Sequence, residues 1–328
     1  MSLGAGPGPS IGPGPAPLPA GRREPARAGN PRPRRLKAET LVFVLPAFLL
    51  VSVFLLYPVV KSLLLSLYSN EDGKSFVGLA NFAALFRGRD IVNLRNILRL
   101  RPPFGALPNN LIWIAIHLPL SMSLGLACAL LMIRLPRLAF LRTFVFVGML
   151  VPGVVTGIVT LFLFEKGAGM IPNLFHLIGI EGLYINWFSH PQTALLALIL
   201  TSVWTWTGYS MVVFLAALSG IPQSYLEAGI VDGANAWQLF RYVKLPLLRS
   251  SIGTIVVMSV IQELTGFDLV YSSTYGGPGG ASNVMGFQMY LEAFKYFKFG
   301  TGSAIATLIT LTAAVPIVLN VRNSARQA

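Results

Sequence analysis

Residues 224–246 read SYLEAGIVDGANAWQLFRYVKLP, a polar segment set between two of the most apolar runs of the chain. Ser224 followed three residues later by Glu227 has the spacing of a capping box, in which two side chains satisfy orphan backbone N–H groups of a starting helix. Pro222 keeps the preceding run from continuing straight on. Asp232-Gly233 supplies a turn, and Asn235 with Gln238 three residues later starts a second helix. Leu245-Pro246 is expected to end that helix and open the next apolar run, since proline is tolerated in a first turn. The segment therefore reads as helix, tight turn, helix. Its Tyr225, Leu226, Ala228, Trp237, Leu239, Phe240 and Val243 offer more apolar surface than a free connection would expose, which points to a protein partner that receives a short helix in a groove.

The runs on either side set the fold class. The chain has 328 residues, 54% of them hydrophobic and 11% charged, with a mean hydropathy of +0.66, too apolar for an ordinary soluble domain of this size. A helix needs about 20 apolar residues to cross a bilayer. Runs of that order are found at Leu41–Val60, Leu111–Ile133, Thr143–Phe164, Thr193–Leu218, Ile252–Val270 and Ser303–Asn320. The expectation is an all-α integral membrane protein with six transmembrane helices, the segment 219–246 projecting between the fourth and fifth.

Charge then orients it. The net charge of +13 could suggest nucleic acid, but Lys and Arg beside membrane spans report topology, because they are retained in the cytoplasm. With the N-terminus inside, the cytoplasmic segments hold 15 of the 25 basic residues and the external segments 9, Lys61 lying at the end of the first span. Both termini and segment 219–246 are thus expected in the cytoplasm, and no nucleic-acid role is read. The Gly- and Pro-rich residues 1–37 lack an apolar core, so they form no signal peptide and are expected to be a disordered, solvated basic tail that reinforces orientation rather than a lipid-binding one; residues 38–328 are the membrane domain.

Outside, 69–110 is too long for a turn. Leu79, Phe82 and Phe86, and then Ile91, Leu94 and Leu98, recur at helical spacing, which suggests two short amphipathic helices on the outer surface, with Arg95 and Arg99 near lipid phosphates or a partner. A second external segment, 165–192, is expected to be irregular, with one short helix near Asn173–Ile178. Cys128 is the single cysteine and reads as a packing residue. His176, His190 and His117 show no metal-ligand spacing, so no metal site is expected; His117, inside the second span, reads as a packed, hydrogen-bonded side chain.

Glu227-Ala228-Gly229, Asp232-Gly233-Ala234, Phe240 and Leu245-Pro246 resemble the EAA loop of permease subunits of bacterial ATP-binding-cassette importers. FVGLANFAALF at 76–86 and FDLVYSSTYGGPGGASNVMGFQMYLEAFKYFKFGTGSAIATL at 267–308 resemble the sugar-importer branch, so the resemblance covers nearly all of the chain after about residue 37. Gly229 stands where the family most often has alanine, which should loosen the first helix by ~1 kcal/mol. The resemblance implies a bacterial plasma-membrane subunit that pairs with a second permease, two copies of an ATPase docked on the loop, and an external solute-binding protein that contacts GGPGG at 276–280. The chain has no GxxxxGK[ST] motif, so ATP and Mg would be bound by the partner ATPase; no cofactor is expected in this chain, which is read as non-catalytic.

A carboxylate in a span costs ~2.5 kcal/mol or more at the bilayer centre, so Glu263 should face a cavity or a partner. Gln262 is adjacent and Phe267 follows one helical turn on; Trp204, Trp206 and Tyr209 cluster in the fourth span. Aromatic faces with amides and carboxylates are the chemistry of a path for a sugar or polyol. The structural alternative is an aromatic belt or bundle core. An ion-coupled secondary transporter is the competing function, although no matching repeats with broken helices are evident. A membrane enzyme lacks paired acids or a nucleophile arrangement.

Overall fold

The computed structural model describes residues 38–70, 73–134 and 139–325, so the expected tail over 1–37 lies outside the described residues. The chain divides into two units, Met1–Ser52 and Val53–Ala328. The first contains helix α1 (Ala38–Val51), with Pro46 inside it. The packing and the site described below belong to the second.

Among the described residues the regular elements are helices, joined by turns and loops, with one isolated bridge between Tyr68 and Phe76. Four helices are long and apolar enough to cross a membrane: Val44–Leu65, Ala106–Ile133, Pro191–Ser219 and Phe299–Asn323. Two bent pairs raise the number to six if each is one span: Arg142–Leu150 with Gly153–Leu163, bent by 114°, and Ala236–Leu247 with Arg249–Thr265, bent by 62°. In chain order the helices are α2 (Tyr57–Leu65), α3 (Ala80–Arg87), α4 (Leu94–Leu98), α5 (Ala106–Arg134), α6 (Ala139–Leu150), α7 (Gly153–Leu163), α8 (Met170–Leu177) and α9 (Pro191–Ser219). They continue with α10 (Gln223–Val231), α11 (Ala236–Gln238), α12 (Leu245–Leu247), α13 (Arg249–Thr265), α14 (Asp268–Ser272), α15 (Met285–Tyr290) and α16 (Phe299–Ala325).

Two of the expected spans are interrupted. Over 143–164 the helix stops at Val151-Pro152 and restarts at Gly153, because Pro152 has no N–H to continue the ladder and forces its predecessor out of the helical region. Over 252–270 it stops at Gly266, whose extended backbone (φ −53°, ψ 112°) separates α13 from α14. Non-helical backbone at membrane depth is tolerated only where protein or a water-filled cavity covers its polar groups, and both breaks meet at the same cavity.

Small residues let the spans approach. A Cβ on Gly125 of α5 would lie 2.5 Å from the Ser210 Cβ of α9, and one on Gly208 of α9 would lie 2.6 Å from the Val145 carbonyl of α6. Close backbone contact of this kind is the main source of helix association in lipid, where apolar burial supplies no driving force. Around α9, Leu198, Ile199, Met211 and Phe214 are fully buried, which makes it the central post against which α5 and α6 stack.

Helices α3 and α4 form over the two stretches expected, but the residues buried there only partly match the ones the spacing picked out. Leu79, Phe86, Leu94 and Leu98 are exposed, while Asn81, Leu85 and Ile91 are buried. Asn81 decides this: its Nδ2 donates to the Ser66 and Tyr68 carbonyls, both at 2.8 Å. In segment 165–192, α8 begins at Met170, earlier than expected, and is followed by two short 3-10 turns.

Candidate functional site

A cavity of about 570 Å³ lies between α5, α6, α7, α9, α13 and the break at Gly266, within the roughly 300–1,000 Å³ of ligand pockets. Gln262, Glu263, Phe267, Trp206 and Tyr209 all line it, together with Trp113, Thr156, Ser202, Thr205 and Asp268. Trp206 and Tyr209 meet edge to face, their centroids 5.1 Å apart. Trp204 is the exception: it is partly exposed on the far side of α9, beside Phe144 at 6.4 Å and over Gly148. Trp204 and Trp206 are two positions apart, a rotation of about 200° on a helix of 3.6 residues per turn, so one ring faces the cavity and the other does not.

Glu263 is buried at 5% exposure, and its Oε1 lies 3.1 Å from His117 Nδ1 of α5, which is itself fully buried. His117 also meets Trp206 edge to face at 6.2 Å. Asn110, two turns earlier on α5, donates from Nδ2 to the Glu263 carbonyl at 2.5 Å and accepts at Oδ1 from the Met285 N–H at 2.7 Å. Neighbouring Asn109 donates to the carbonyls of Ala281 at 3.0 Å and Asn283 at 2.8 Å, tying α5 to the loop after GGPGG. The sequence reading missed this framework. Its signal is the four-residue spacing of Asn109, Trp113, His117, Ser121 and Gly125, a polar and small stripe along one face of an otherwise apolar helix.

Beyond the break, Phe267, Tyr271, Tyr275, Phe287 and Tyr290 pack as a continuous aromatic group; Phe267 lies 4.8 Å from Tyr271 and 4.9 Å from Tyr290. A hydrogen bond with Tyr271 pushes the Tyr290 phenol above its usual value. Tyr275 stands in the left-handed region at φ 51°, where a residue with a side chain is held only by its surroundings; here Phe287 packs on it at 5.0 Å and Lys295 Nζ lies 4.8 Å from its ring.

The 224–246 segment is a helix, a turn and a helix. Two details differ from the expectation. Helix α10 starts at Gln223 with Pro222 as its N-cap and no side-chain cap, so Ser224 and Glu227 do not form a box: both already lie inside the first turns. The second helix does not end at Leu245-Pro246 but runs from Ala236 to Leu247 through a π-helical turn at Leu239–Lys244, and the 62° bend follows it. A wider turn places the missing Pro246 N–H where the ladder is already irregular. The Asn235–Gln238 box does form, Gln238 N donating to Asn235 Oδ1 at 2.9 Å and Asn235 N to Gln238 Oε1 at 2.8 Å.

Between them, α10 closes with Gly233 at φ 79°. Gly233 N donates to the Ile230 carbonyl at 3.0 Å and Ala234 N to the Gly229 carbonyl at 2.9 Å, the paired bonds of a Schellman end, which follow Asp232 at the C-cap. A Cβ on Gly229 would lie 2.6 Å from Leu239 Cδ2, so the glycine lets the second helix fold back on the first. Glu227 and Ala228 are exposed, Phe240 is half-buried against Trp237 at 5.6 Å, and Leu245 and Pro246 are half-buried. Tyr225, Ile230, Trp237 and Tyr242 remain exposed.

An all-helical membrane bundle whose broken spans wall a cavity of aromatic, amide and acid groups defines the class of transport permeases. Residues 121–327 match the binding-protein-dependent transport system inner membrane component family, and the chain belongs to it. A probable ABC transporter permease protein of Pyrococcus horikoshii is 45% identical over 276 residues, 84% of this chain and 94% of the relative. The lactose transport system permease protein LacF of Rhizobium radiobacter is 32% identical over 282 residues, 84% and 90% of the two chains. The fold is also that of a chain in a bacterial ABC transporter involved in the import of the acidic polysaccharide alginate, with a TM-score of 0.69 at 20% identity over 87% of this chain and 94% of that one. The protein is thus an inner-membrane permease of an ABC importer, and the ion-coupled carrier weighed from the sequence is set aside.

Proposed function

We propose that this permease forms half of the translocation path for a carbohydrate or related polyol, in a bacterial plasma membrane with both termini in the cytoplasm. The observation that carries this reading is the convergence of Glu263, Gln262, Trp206, Tyr209 and Phe267 on one cavity. Aromatic faces stack on the C–H faces of sugar rings, and the carboxylate and amide accept and donate to hydroxyls. The lactose permease among its relatives supports the solute class.

The second half of the path comes from a homologous permease, and an external binding protein delivers the solute to the loops around 276–283. Segment 219–246 docks in a groove of one subunit of the ATPase dimer through the exposed apolar face of Tyr225, Ile230, Trp237 and Tyr242. A count of six crossings, with each bent pair taken as one, supports a reading in which this segment shares a side with the termini. The ATPase binds ATP and Mg and hydrolyses the nucleotide, and the rigid Schellman turn and capping box transmit its closure to α9 and α13.

Co-purification with the ATPase, followed by reconstitution with binding protein, tests this reading. Lactose, maltose, trehalose and glycerol 3-phosphate would be compared as stimulators of ATP hydrolysis and uptake. Stimulation by at least one is expected. Failure of any ATPase to associate, with uptake untouched by deletion of 224–245, would contradict it.

A further inference from the structure

We propose that His117 is a positioning residue: from behind the cavity wall it holds Glu263 and Trp206 in place and thereby sets which solutes the cavity accepts. The inference rests on the cavity being the solute path. His117 does not line the cavity, yet it touches two residues that do, on two different helices: Glu263 of α13 at 3.1 Å and Trp206 of α9 with centroids 6.2 Å apart. It sits on α5 and is fully buried, so the α5, α9 and α13 walls all meet at its ring.

Packing alone does not account for an imidazole here. Neither ring nitrogen makes a hydrogen bond of good geometry with the described residues, and a buried orphan polar group costs stability unless it serves something. A leucine of similar volume would fill the space without that cost. What the imidazole adds is a polar atom at ion-pair distance from the one carboxylate buried in the wall, together with an edge against the Trp206 face. An unheld carboxylate at this depth would turn toward whichever polar atom offers itself. Held by His117 Nδ1 on one oxygen, Glu263 keeps the other free for a hydroxyl.

The test is a double-mutant cycle in the reconstituted complex, with His117→Leu, His117→Gln, Glu263→Gln and the double variant His117→Leu/Glu263→Gln. Uptake of lactose, maltose, trehalose and glycerol 3-phosphate is measured for each, normalised to assembled complex. If His117 acts through Glu263, His117→Leu and Glu263→Gln each lower uptake by about tenfold, the double is no worse than Glu263→Gln, and His117→Leu reorders solute preference as Glu263→Gln does. His117→Gln, which restores a polar atom, recovers most of the uptake. Multiplying effects in the double variant, or loss in His117→Leu with solute preference unchanged, would overturn the positioning role alone. No stimulation of the unsubstituted complex by any of the four probes would instead overturn the carbohydrate reading on which it stands.

Discussion

Asn110 holds the end of α13 in place through Glu263: its Nδ2 donates to the Glu263 carbonyl at 2.5 Å while its Oδ1 accepts from Met285 N. That carbonyl would normally accept from the N–H four residues on, but the helix breaks at Gly266 and the next residues leave the helical path. Asn110→Ala would strand one buried acceptor and one buried donor, each at a cost of about 1–3 kcal/mol. The expected outcome is a clear fall in the melting temperature of the purified complex. Asn173→Ala, whose bonds to Gly167 and Gly169 lie toward the surface, should lower it far less.

The two glycines of the 224–246 segment should respond differently. At Gly233, φ is 79°, so Gly233→Ala forces a side chain into the left-handed region at about 1–2 kcal/mol and should weaken retention of the ATPase in a pull-down. Gly229→Ala meets only the tip of Leu239, a half-buried side chain that can turn aside, and gains helix propensity of ~1 kcal/mol. It should retain the ATPase as well as the unsubstituted chain does.

Trp206 and Trp204 form a matched pair. Trp206→Ala removes a cavity wall and should lower uptake by about tenfold or more, since a stacked aromatic contributes on the order of 1 kcal/mol beyond its buried area. Trp204→Ala, on the opposite side of α9, should leave uptake within about twofold while shifting lipid or subunit contacts. Equal losses in uptake assays of the two variants would argue against the cavity as the path.

Glu227 is exposed on α10 with no cap to form, so its replacement costs the isolated chain little. In an importer driven through this segment, Glu227→Ala should nevertheless reduce solute taken up per ATP hydrolysed, measured in proteoliposomes. A plain connecting loop would tolerate the change.

The spans at Ala106–Ile133, Pro191–Ser219 and Phe299–Asn323 were legible within a few residues because apolar length is a one-dimensional property. The breaks at Val151-Pro152 and Gly266 were not, although proline and glycine stood in plain view, because both residues also occur within unbroken membrane helices and only the cavity they open decides between the two. Asn235 and Gln238 form their box, whereas Ser224 and Glu227, with the same spacing, do not: Pro222 takes the cap position two residues earlier, a competition that spacing cannot resolve. Glu263 drew attention as an acid in a span, but its neighbour His117 is 146 positions away in the chain. Contact between two helices is not written in either one, and the stripe on α5 announces a buried polar face without naming what it meets.

On the proposed function, this permease moves solute through the cavity at Glu263 under the drive of a partner ATPase. Uptake by proteoliposomes containing the complete complex with Glu263→Ala tests it most directly, alongside the yield of assembled complex. Full assembly with uptake reduced by about tenfold or more is the expected outcome, from loss of a hydroxyl-binding group. Full assembly with undiminished uptake would contradict it.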